Sequence, residues 1–277
     1  MSIPTPTDRP VFLAGRELLR IVHEDDRLLV LNKPAGLVCH PTKTDEWSSL
    51  VARVRLYLGP GSAARLVNRL DRETSGLVLA GKTVEAAGAL GKLWESRAVR
   101  KTYLAIVRGT VAEEAGVVDA PLGKDDASVV AIKDCVRTDG APARTEFKVL
   151  RRFHRTEGDF TLLQVVPLTG RKHQIRLHLA HVGHPIVGDK IYGGDEQLYL
   201  ALVEGRLGAE GRSRLLLPYQ ALHAGKVEFD WAGQPWDFRA DPEPWFNDFV
   251  DGKVSPGGNQ GRFGELRVED CRLRIAE

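Results

Sequence analysis

A charged turn followed by an apolar strand occupies residues 66–79, with the sequence Leu66-Val67-Asn68-Arg69-Leu70-Asp71-Arg72-Glu73-Thr74-Ser75-Gly76-Leu77-Val78-Leu79. The apolar run at its end predicts a buried strand, and the Thr-Ser-Gly triplet before that run predicts a turn. Asp71 lies between Arg69 and Arg72, and neighbouring cations keep a carboxylate ionised. An ionised Asp71 would be available as a base or a nucleophile. The alternative is a carboxylate that simply pairs with arginine on a surface turn.

A second cationic segment lies at residues 167–179, with the sequence Pro167-Leu168-Thr169-Gly170-Arg171-Lys172-His173-Gln174-Ile175-Arg176-Leu177-His178-Leu179. This pattern predicts a loop that leads into a helix closed by Gly183. Cations and free backbone N–H groups meet at such a helix start, an arrangement suited to phosphate. The alternative is a basic helix start that is only solvated.

The composition of the chain is that of an ordinary globular protein. Its 277 residues are 43% hydrophobic and 27% charged, which excludes a largely disordered chain, a collagen and a coiled coil. No run approaches the roughly 20 apolar residues of a membrane-spanning helix, and the N-terminus lacks the features of a signal peptide. The three cysteines, Cys39, Cys135 and Cys271, form no C-x-x-C pair. We therefore expect a cytoplasmic protein with reduced thiols and no membrane partner.

The net charge of +2 conceals an uneven distribution of charge. Residues 51–110 carry 11 basic and 4 acidic side chains, whereas residues 201–277 carry 10 basic and 13 acidic ones. A nearly neutral protein can therefore present one strongly positive face to a polyanion. Because a solvated helix face would give the same asymmetry, the charge needs a site beside it to indicate function.

Short strands and helices follow one another without a regular βαβ order, which favours an α+β fold. The clearest predicted elements are strands at 28–31, 77–80, 101–109 and 161–166, and helices that start at Ser48 or Ser49, at Thr83 and within 169–180.

Other kinds of chemistry find little support in the sequence. His178 and His181 could share a helix face, but His184 follows Gly183, and no carboxylate lies at ligand spacing among them. The chain has neither a GxxxxGK[ST] phosphate loop nor a GxGxxG after a strand. We therefore expect no metal site and no nucleotide cofactor.

Four blocks of the sequence, in this order, resemble the RluA-like family of RNA pseudouridine synthases over about residues 20–230. The blocks are Leu31–Val38 with His40-Pro41, Arg69–Leu77, Gly170–His178 continuing into Gly183–Asp189 and Tyr192-Gly193, and Leu222-His223-Ala224.

The resemblance implies a cofactor-free and metal-free isomerase that acts on uridine in RNA, either rRNA or tRNA. Asp71 matches the family's essential aspartate, which attacks the sugar, attacks the base or removes a ribose proton. Tyr103 matches the active-site tyrosine, and Arg176 matches the arginine that pairs with the aspartate. Arg69 matches the residue that fills the gap left when the target nucleotide flips out of its stack.

The resemblance also implies further contacts with RNA and a fold. We expect RNA-binding residues at Arg69, Arg72, Lys101, Arg171, Lys172 and His173. The implied fold is the α+β pseudouridine synthase fold, a mixed and mainly antiparallel sheet with flanking helices around a central cleft.

The sequence departs from the family at one position, and it also predicts how this chain is divided into domains. The family usually has histidine before the Arg-Leu-Asp triplet, where this chain has Asn68. Because the first block begins near residue 20, we do not expect before it the small RNA-binding domain that many relatives carry. We expect an N-terminal lead-in over residues 1–19, a catalytic domain over 20–240, and a C-terminal extension over 241–277.

Two rival functions, those of a non-catalytic RNA-binding protein and of a nucleoside hydrolase, belong to other functional classes. A non-catalytic RNA-binding protein could retain the synthase fold, but it would not need an ionised carboxylate facing a polyanion. A nucleoside hydrolase would need a second carboxylate or a metal cluster to activate water, and none stands out. The sequence therefore predicts a pseudouridine synthase, and the absence of a long apolar stripe predicts a monomer.

Overall fold

The computed structural model of the protein describes residues 8–41 and 49–253. Ser48 as a helix cap, Cys271, and the ends of the predicted lead-in and C-terminal extension lie outside the described residues. The strands are β1 Arg9–Leu13, β2 Arg16–Glu24, β3 Leu28–Lys33, β4 Arg65–Leu66, β5 Ser75–Gly81, β6 Arg100–Arg108, β7 Ala115–Asp119, β8 Leu122–Lys124, β9 Asp134–Val136, β10 Arg144–Arg155, β11 Gly158–Pro167, β12 Leu222–Trp231 and β13 Gln234–Arg239. The helices are α1 Leu50–Leu58, α2 Val84–Glu95, α3 Gln174–His181, α4 Gln197–Val203, α5 Ala209–Leu215 and α6 Pro244–Val250.

The chain divides into two compact units. The first unit consists of Met1–Tyr103 with Leu222–Glu243, and the second consists of Leu104–Ala221 with Pro244–Glu277. Within the described ranges, no helix is both long enough and apolar enough to span a lipid bilayer.

Strands β3 and β5 form the centre of the first unit. In its sheet the order is β1-β2-β3-β5-β12, with β4 paired to β5 and β13 paired to β12. Every one of these pairs is antiparallel except the parallel pair β5–β12. The mixture of helices with a mainly antiparallel sheet agrees with the α+β fold predicted from the sequence.

Alternate residues of β3 enter two different cores. Leu28 and Val30 pack in one core with Leu90 of α2, whereas Leu29 and Leu31 pack in the other with Val54 of α1. Successive side chains of a strand point to opposite faces, so a strand covered on both faces must be apolar throughout. This explains why β3 and β5 appear in the sequence as continuous apolar runs and not as alternating ones.

The first two helices begin at the predicted caps. The Ser49 side chain accepts a hydrogen bond from the backbone N–H of Ala52 at 3.3 Å, and Thr83 accepts one from that of Ala86 at 3.1 Å. Each bond satisfies a backbone donor that has no partner within the helix. Gly59 ends α1 with a φ of 87°, a conformation that glycine adopts without strain.

Much of the predicted N-terminal lead-in is a β-hairpin. Residues 9–13 and 16–24 form the antiparallel pair β1–β2, and Ala14 and Gly15 make the tight turn with φ angles of 48° and 73°. Two consecutive positive φ values are typical of the two-residue hairpin turn. The sequence did not reveal β1 because its side chains are mostly exposed and lack apolar alternation.

The second unit contains the strand order β11-β10-β7, which is antiparallel, and a separate antiparallel pair β8–β9. Helix α3 packs through Leu177 against Leu122 of β8 and against Tyr192. Although the sequence pattern weakens beyond residue 240, α6 is present there. Its Phe249 contacts Phe160 of β11 edge-on, with ring centres 5.1 Å apart.

We expect Gly76→Ala to destabilise the first unit strongly. Gly76 has a φ of 112°, and a Cβ atom at this position would lie 2.3 Å from the carbonyl oxygen of Ala224 on β12. Because backbone must move to relieve that clash, the free energy of unfolding should fall by about 3 kcal/mol or more. Gly88→Ala in α2 is the matched control, since a Cβ atom there meets nothing within 4 Å. The control should gain about 1 kcal/mol, and equal urea midpoints for the two variants would contradict the role of Gly76.

We also expect the fold to lose stability in acid through His223. Its Nε2 is 2.9 Å from the carbonyl oxygen of Ala240, which can only accept, so Nδ1 accepts from the Ser75 hydroxyl at 2.9 Å. Burial lowers the pKa of His223 to about 4, against 6.5 for an exposed imidazole. The unfolded chain therefore binds the proton first, and stability is fully present above about pH 6.5 and declines as the pH falls towards about 4.

Urea unfolding at a series of pH values measures this effect. The wild type should lose about 3 kcal/mol of unfolding free energy over that interval through His223. His223→Gln should show a shallower pH dependence. The same slope in both proteins would show that His223 does not titrate on unfolding.

Candidate active site around Asp71

Asp71 lies in the turn that precedes β5. Its backbone carbonyl accepts a hydrogen bond from the N–H of Thr74 at 3.2 Å, which closes the turn. Leu70 on one side of it is buried, whereas Asp71 itself is partly exposed. The turn therefore presents a carboxylate at the surface of the first unit from a backbone that is anchored beneath.

Lys33 at the end of β3 and residues of the segment after β3 anchor both sides of Asp71. The Cys39 thiol donates to the carbonyl of Leu70 at 3.5 Å, and the N–H of Leu70 donates to the Cys39 sulfur at 3.3 Å. The carbonyl of Arg72 accepts from the Lys33 ammonium at 3.0 Å and from the N–H of Gly36 at 2.9 Å. The backbone next to Asp71 is thus hydrogen-bonded on both sides.

Asn68, which stands where the family usually has histidine, binds the backbone of β5. Its side-chain amide donates to the carbonyl of Leu77 at 3.2 Å and accepts from the N–H of Leu79 at 2.9 Å. The amide thereby reproduces the two bonds that a backbone residue of a neighbouring strand would make. In this chain the side chain before the Arg-Leu-Asp triplet fixes the start of the Asp71 turn.

Tyr103 on β6 packs against the same core as Leu70 and Cys39. Burial raises the pKa of the Tyr103 hydroxyl, and the negative charge of Asp71 raises it further. Tyr103 therefore lies within electrostatic range of the carboxylate and keeps its proton at neutral pH. The structure brings these two predicted site residues together in the first unit.

The predicted RNA-binding cations of the first unit differ in exposure. Arg69 is exposed, whereas Arg72 and Lys101 are partly buried. Burial, and then the charge of Arg97, lower the pKa of Lys101. Burial also lowers the pKa of His40, with the charges of Arg69 and Arg55 adding to the effect. Arg69 and Arg55 therefore lie within electrostatic range of His40, and Arg97 lies within that range of Lys101.

Arg176 lies on α3 in the second unit and is held by Asp189. Its Nε and one terminal nitrogen bind the two carboxylate oxygens at 2.6 and 2.9 Å, and the two side chains are only 6% and 0% exposed. Burial alone would raise the pKa of Asp189, but the charge of Arg176, their hydrogen bond and the N–H groups of Tyr192 and Ile191 outweigh it, so the pKa is lowered. This bidentate pair fixes the plane of the guanidinium group.

The other predicted site residues of the second unit are bonded within that unit. The Lys172 ammonium lies 3.0 Å from a carboxylate oxygen of Asp134, and Arg171 donates to the carbonyl of Pro142 at 3.2 Å. His173, at the start of α3, is hydrogen-bonded to the Tyr192 hydroxyl at 3.0 Å. Their contact with RNA, and the pairing of Arg176 with Asp71, stay predictions.

Buried polar groups fix α3 in place. Gln174 donates from its amide to the carbonyl of Arg144 and to the Thr145 hydroxyl, each at 2.9 Å. His178 is bonded at both ring nitrogens, to Thr145 and to the carbonyl of Ala120. In residues 8–41 and 49–253, no group of three or more His, Cys, Asp or Glu side chains could hold a metal ion.

Three residues of this architecture were missed in the sequence. Lys33 resembles a surface residue before a proline, Cys39 is an isolated cysteine, and Asp189 lies 13 residues from Arg176 along the chain. For Lys33 and Asp189 the only signal available was their inclusion in the blocks that resemble the family, which did not indicate what each side chain contacts, and Cys39 lies outside those blocks.

Residues 27–181, more than half of the chain, match the family described as RNA pseudouridylate synthase. Among curated relatives, the ribosomal large subunit pseudouridine synthase D of Nitrosomonas europaea is 39% identical over 217 residues, which are 76% of this chain and 57% of the relative. The dual-specificity RNA pseudouridine synthase RluA of Vibrio parahaemolyticus is 38% identical over 182 residues, which are 64% of this chain and 70% of that protein. The chain spans 57%, 61% and 64% of the length of three synthase D relatives.

Solved structures agree with these matches in sequence. Human RNA pseudouridylate synthase domain containing 1 superposes with a TM-score of 0.67 and 27% identity, covering 86% of this chain and 88% of the human one. Human RNA pseudouridylate synthase domain containing 4 gives a TM-score of 0.65 and 25% identity over 84% of this chain and 92% of that one. The fold predicted from the sequence, a mixed and mainly antiparallel α+β fold, is thereby confirmed as the pseudouridine synthase fold. This chain belongs to the RluA family of RNA pseudouridine synthases.

Proposed function

We propose that this chain is an RNA pseudouridine synthase that isomerises specific uridines of structured RNA, either rRNA or tRNA. The observation that carries the proposal is the Asp71 turn, in which a partly exposed carboxylate stands on a backbone bonded on both sides. In the reaction the C1′–N1 bond breaks, the uracil rotates, and a C1′–C5 bond forms. C5 loses a proton and N1 gains one, so the balance requires no redox cofactor and no metal.

Asp71 would supply the charge that the reaction needs. Attack on the sugar, attack on the base and removal of a ribose proton all require an ionised carboxylate. Its partial exposure supports each of these roles, because water solvates the charged form. A non-catalytic RNA binder with the same fold is the alternative, and it gives no reason to fix a negative charge where RNA must approach.

Tyr103 would act as a neutral side chain in this reaction. Burial and the charge of Asp71 both oppose its ionisation, so it does not serve as a phenolate base. Its ring remains suited to stack on the displaced uracil, and its hydroxyl can relay a proton only while it keeps one.

Arg176 would complete the site by pairing with Asp71, as the family resemblance predicts. The two hydrogen bonds that Arg176 donates to Asp189 support that role, because they hold the guanidinium group in one orientation and leave less side-chain entropy to lose on pairing.

The partner would be RNA, bound by a chain that acts as a monomer in the cytoplasm. Relatives named for the large ribosomal subunit support rRNA as the first class to test, and the relative named as dual-specificity supports including tRNA.

Asp71→Asn tests the proposed activity. The wild type incubated with rRNA and tRNA transcripts should form pseudouridine, which carbodiimide adducts reveal as stops in primer extension. Asp71→Asn should form none, because an amide can neither attack as an anion nor accept a proton as a carboxylate does. Its urea midpoint and RNA affinity should remain near those of the wild type.

Asp230→Asn is the matched control, since Asp230 is an exposed carboxylate of the first unit on β12. It should modify RNA as the wild type does. Pseudouridine formed by Asp71→Asn at the wild-type rate would refute the assignment of Asp71. A wild type that binds both RNA classes but modifies neither would favour the non-catalytic alternative.

Binding of RNA should depend on the cations near Asp71. Arg69 and Lys101 make no hydrogen bond or ion pair with any residue in the described parts of the chain, so their charges are available to phosphate. Arg69→Ala and Lys101→Ala should each weaken RNA binding and lower the slope of log affinity against log salt by about 1.

Arg239→Ala serves as the control for these two substitutions. Arg239 is exposed, as Arg69 is, but its guanidinium group is already paired with Asp237. Filter binding at several salt concentrations should give the wild-type slope for Arg239→Ala. An unchanged slope for Arg69→Ala and Lys101→Ala as well would place the RNA on another surface.

A further inference from the structure

Arg97 follows the end of helix α2 in a backbone conformation that favours glycine. Its φ is 60°, in the left-handed region. The N–H of Ala98 donates to the carbonyl of Leu93 at 3.0 Å. The N–H of Arg97 donates to the carbonyl of Trp94 at 3.2 Å. These are the two bonds of the Schellman motif, in which the left-handed residue is usually glycine because a Cβ atom is strained there.

Contacts within the protein do not account for an arginine at this position. Arg97 is exposed, and in residues 8–41 and 49–253 its guanidinium group makes no hydrogen bond and no ion pair. A cation can stabilise the C-terminal end of a helix, but α2 already has Lys92 in its last turn. A strained residue without a structural reason for its side chain is a reason to look for a function.

Lys101 on β6 carries a second positive charge close to that of Arg97. It is partly buried and has no hydrogen-bond or ion-pair partner within the described ranges. Burial lowers the pKa of Lys101, and the charge of Arg97 lowers it further, so the two cations interact. Val99 between them is buried in one core with Leu90 of α2, which fixes the connection that carries both cations. Two like charges held close together on a fixed backbone repel each other until an anion binds.

An RNA phosphate has the chemistry that fits these two cations. A phosphodiester carries one negative charge on two free oxygens, and an arginine and a lysine can each donate to one of them. Lys101 lies on the same strand as Tyr103, and Tyr103 is within electrostatic range of Asp71. A phosphate bound by Lys101 would therefore lie near the proposed active site.

We propose that Arg97 and Lys101 together bind a single phosphate of the substrate RNA, near the uridine that reacts at Asp71. This inference rests on the proposed function, because it names a substrate contact of the same site. Neither cation touches the reacting atoms. Arg97 occupies a position that suits glycine because its charge serves the binding of RNA and not the stability of the fold.

Arg97→Gly tests the proposal, because the stability of the protein and its affinity for RNA should change in opposite directions. Glycine adopts the left-handed conformation without strain, so the urea midpoint should rise above that of the wild type. The variant lacks the guanidinium group, so it should bind rRNA or tRNA transcripts more weakly. Filter binding at several salt concentrations should show that the slope of log affinity against log salt falls by about 1.

Ala232→Gly is the matched control. Ala232 is an exposed and uncharged residue of the first unit, in the turn between β12 and β13, and its φ is 54°. This substitution should also raise the urea midpoint, but it should leave the affinity for RNA and the salt slope unchanged. Arg97→Lys should keep the wild-type slope because it keeps the charge. Arg97→Gln should lower the slope as Arg97→Gly does, without the rise in the urea midpoint.

The double variant Arg97→Gln with Lys101→Ala tests whether the two cations share one phosphate. Each substitution alone should lower the salt slope by about 1. The double variant should also lower it by about 1, because the same phosphate contact is lost in all three proteins. A decrease of about 2 would assign the cations to two separate phosphates and would overturn the shared site.

Two further outcomes separate this inference from the proposed function. Binding is measured without catalysis, so a wild type that binds RNA but forms no pseudouridine would refute the proposed activity and leave the phosphate site supported by its slopes. A wild type that forms pseudouridine, together with an unchanged slope for Arg97→Gln, would overturn the inference alone. A lower urea midpoint for Arg97→Gly in that case would show that Arg97 stabilises α2 instead.

Discussion

The burial of strand β5 on both faces and at both edges is the constraint on which the first unit depends. All seven of its residues are buried, between β3 on one edge and β12 on the other. Its alternate side chains enter two separate cores, so neither face admits a polar residue without a partner. The parallel contact with β12 also brings the backbone of Ala224 so close to Gly76 that no side chain fits between them.

The Asp71 turn derives its geometry from this strand. Asn68 binds β5 at Leu77 and Leu79 through its amide, and the chain re-enters the same strand at Ser75. The few residues between these points must form a short loop with both ends fixed on one rigid element. A carboxylate at the middle of such a loop can be partly exposed to water and still be held in place, which is the combination a catalytic group needs.

Local patterns in the sequence were sufficient to predict the secondary structure around the site. The apolar runs of β3 and β5 and the caps Ser49 and Thr83 act on residues within four positions of themselves, so a local pattern records them. The partner of Arg176 and the acceptors of Lys33 are set by the tertiary fold, which no local pattern records. Lysine is also among the residue types that are rarely buried, so its identity argued for the surface. The β1–β2 hairpin was missed for a related reason, since an exposed edge strand needs no apolar alternation.

The positive charge of a sequence segment predicts its affinity for RNA only after the ion pairs and hydrogen bonds that its cations make within the protein are taken into account. The segments around Asp71 and around Arg171 both appeared basic, yet Lys172 is already paired with Asp134 and Arg171 is bonded to a carbonyl. To bind phosphate, such a side chain must first give up a partner, which offsets part of the gain. Arg69 and Lys101 have no such partner among the described residues. The unneutralised charges of Arg69 and Lys101 would also reduce the repulsion between the Asp71 carboxylate and an approaching polyanion, which gives a physical reason for an excess of cations in the same part of the chain as the proposed catalytic aspartate.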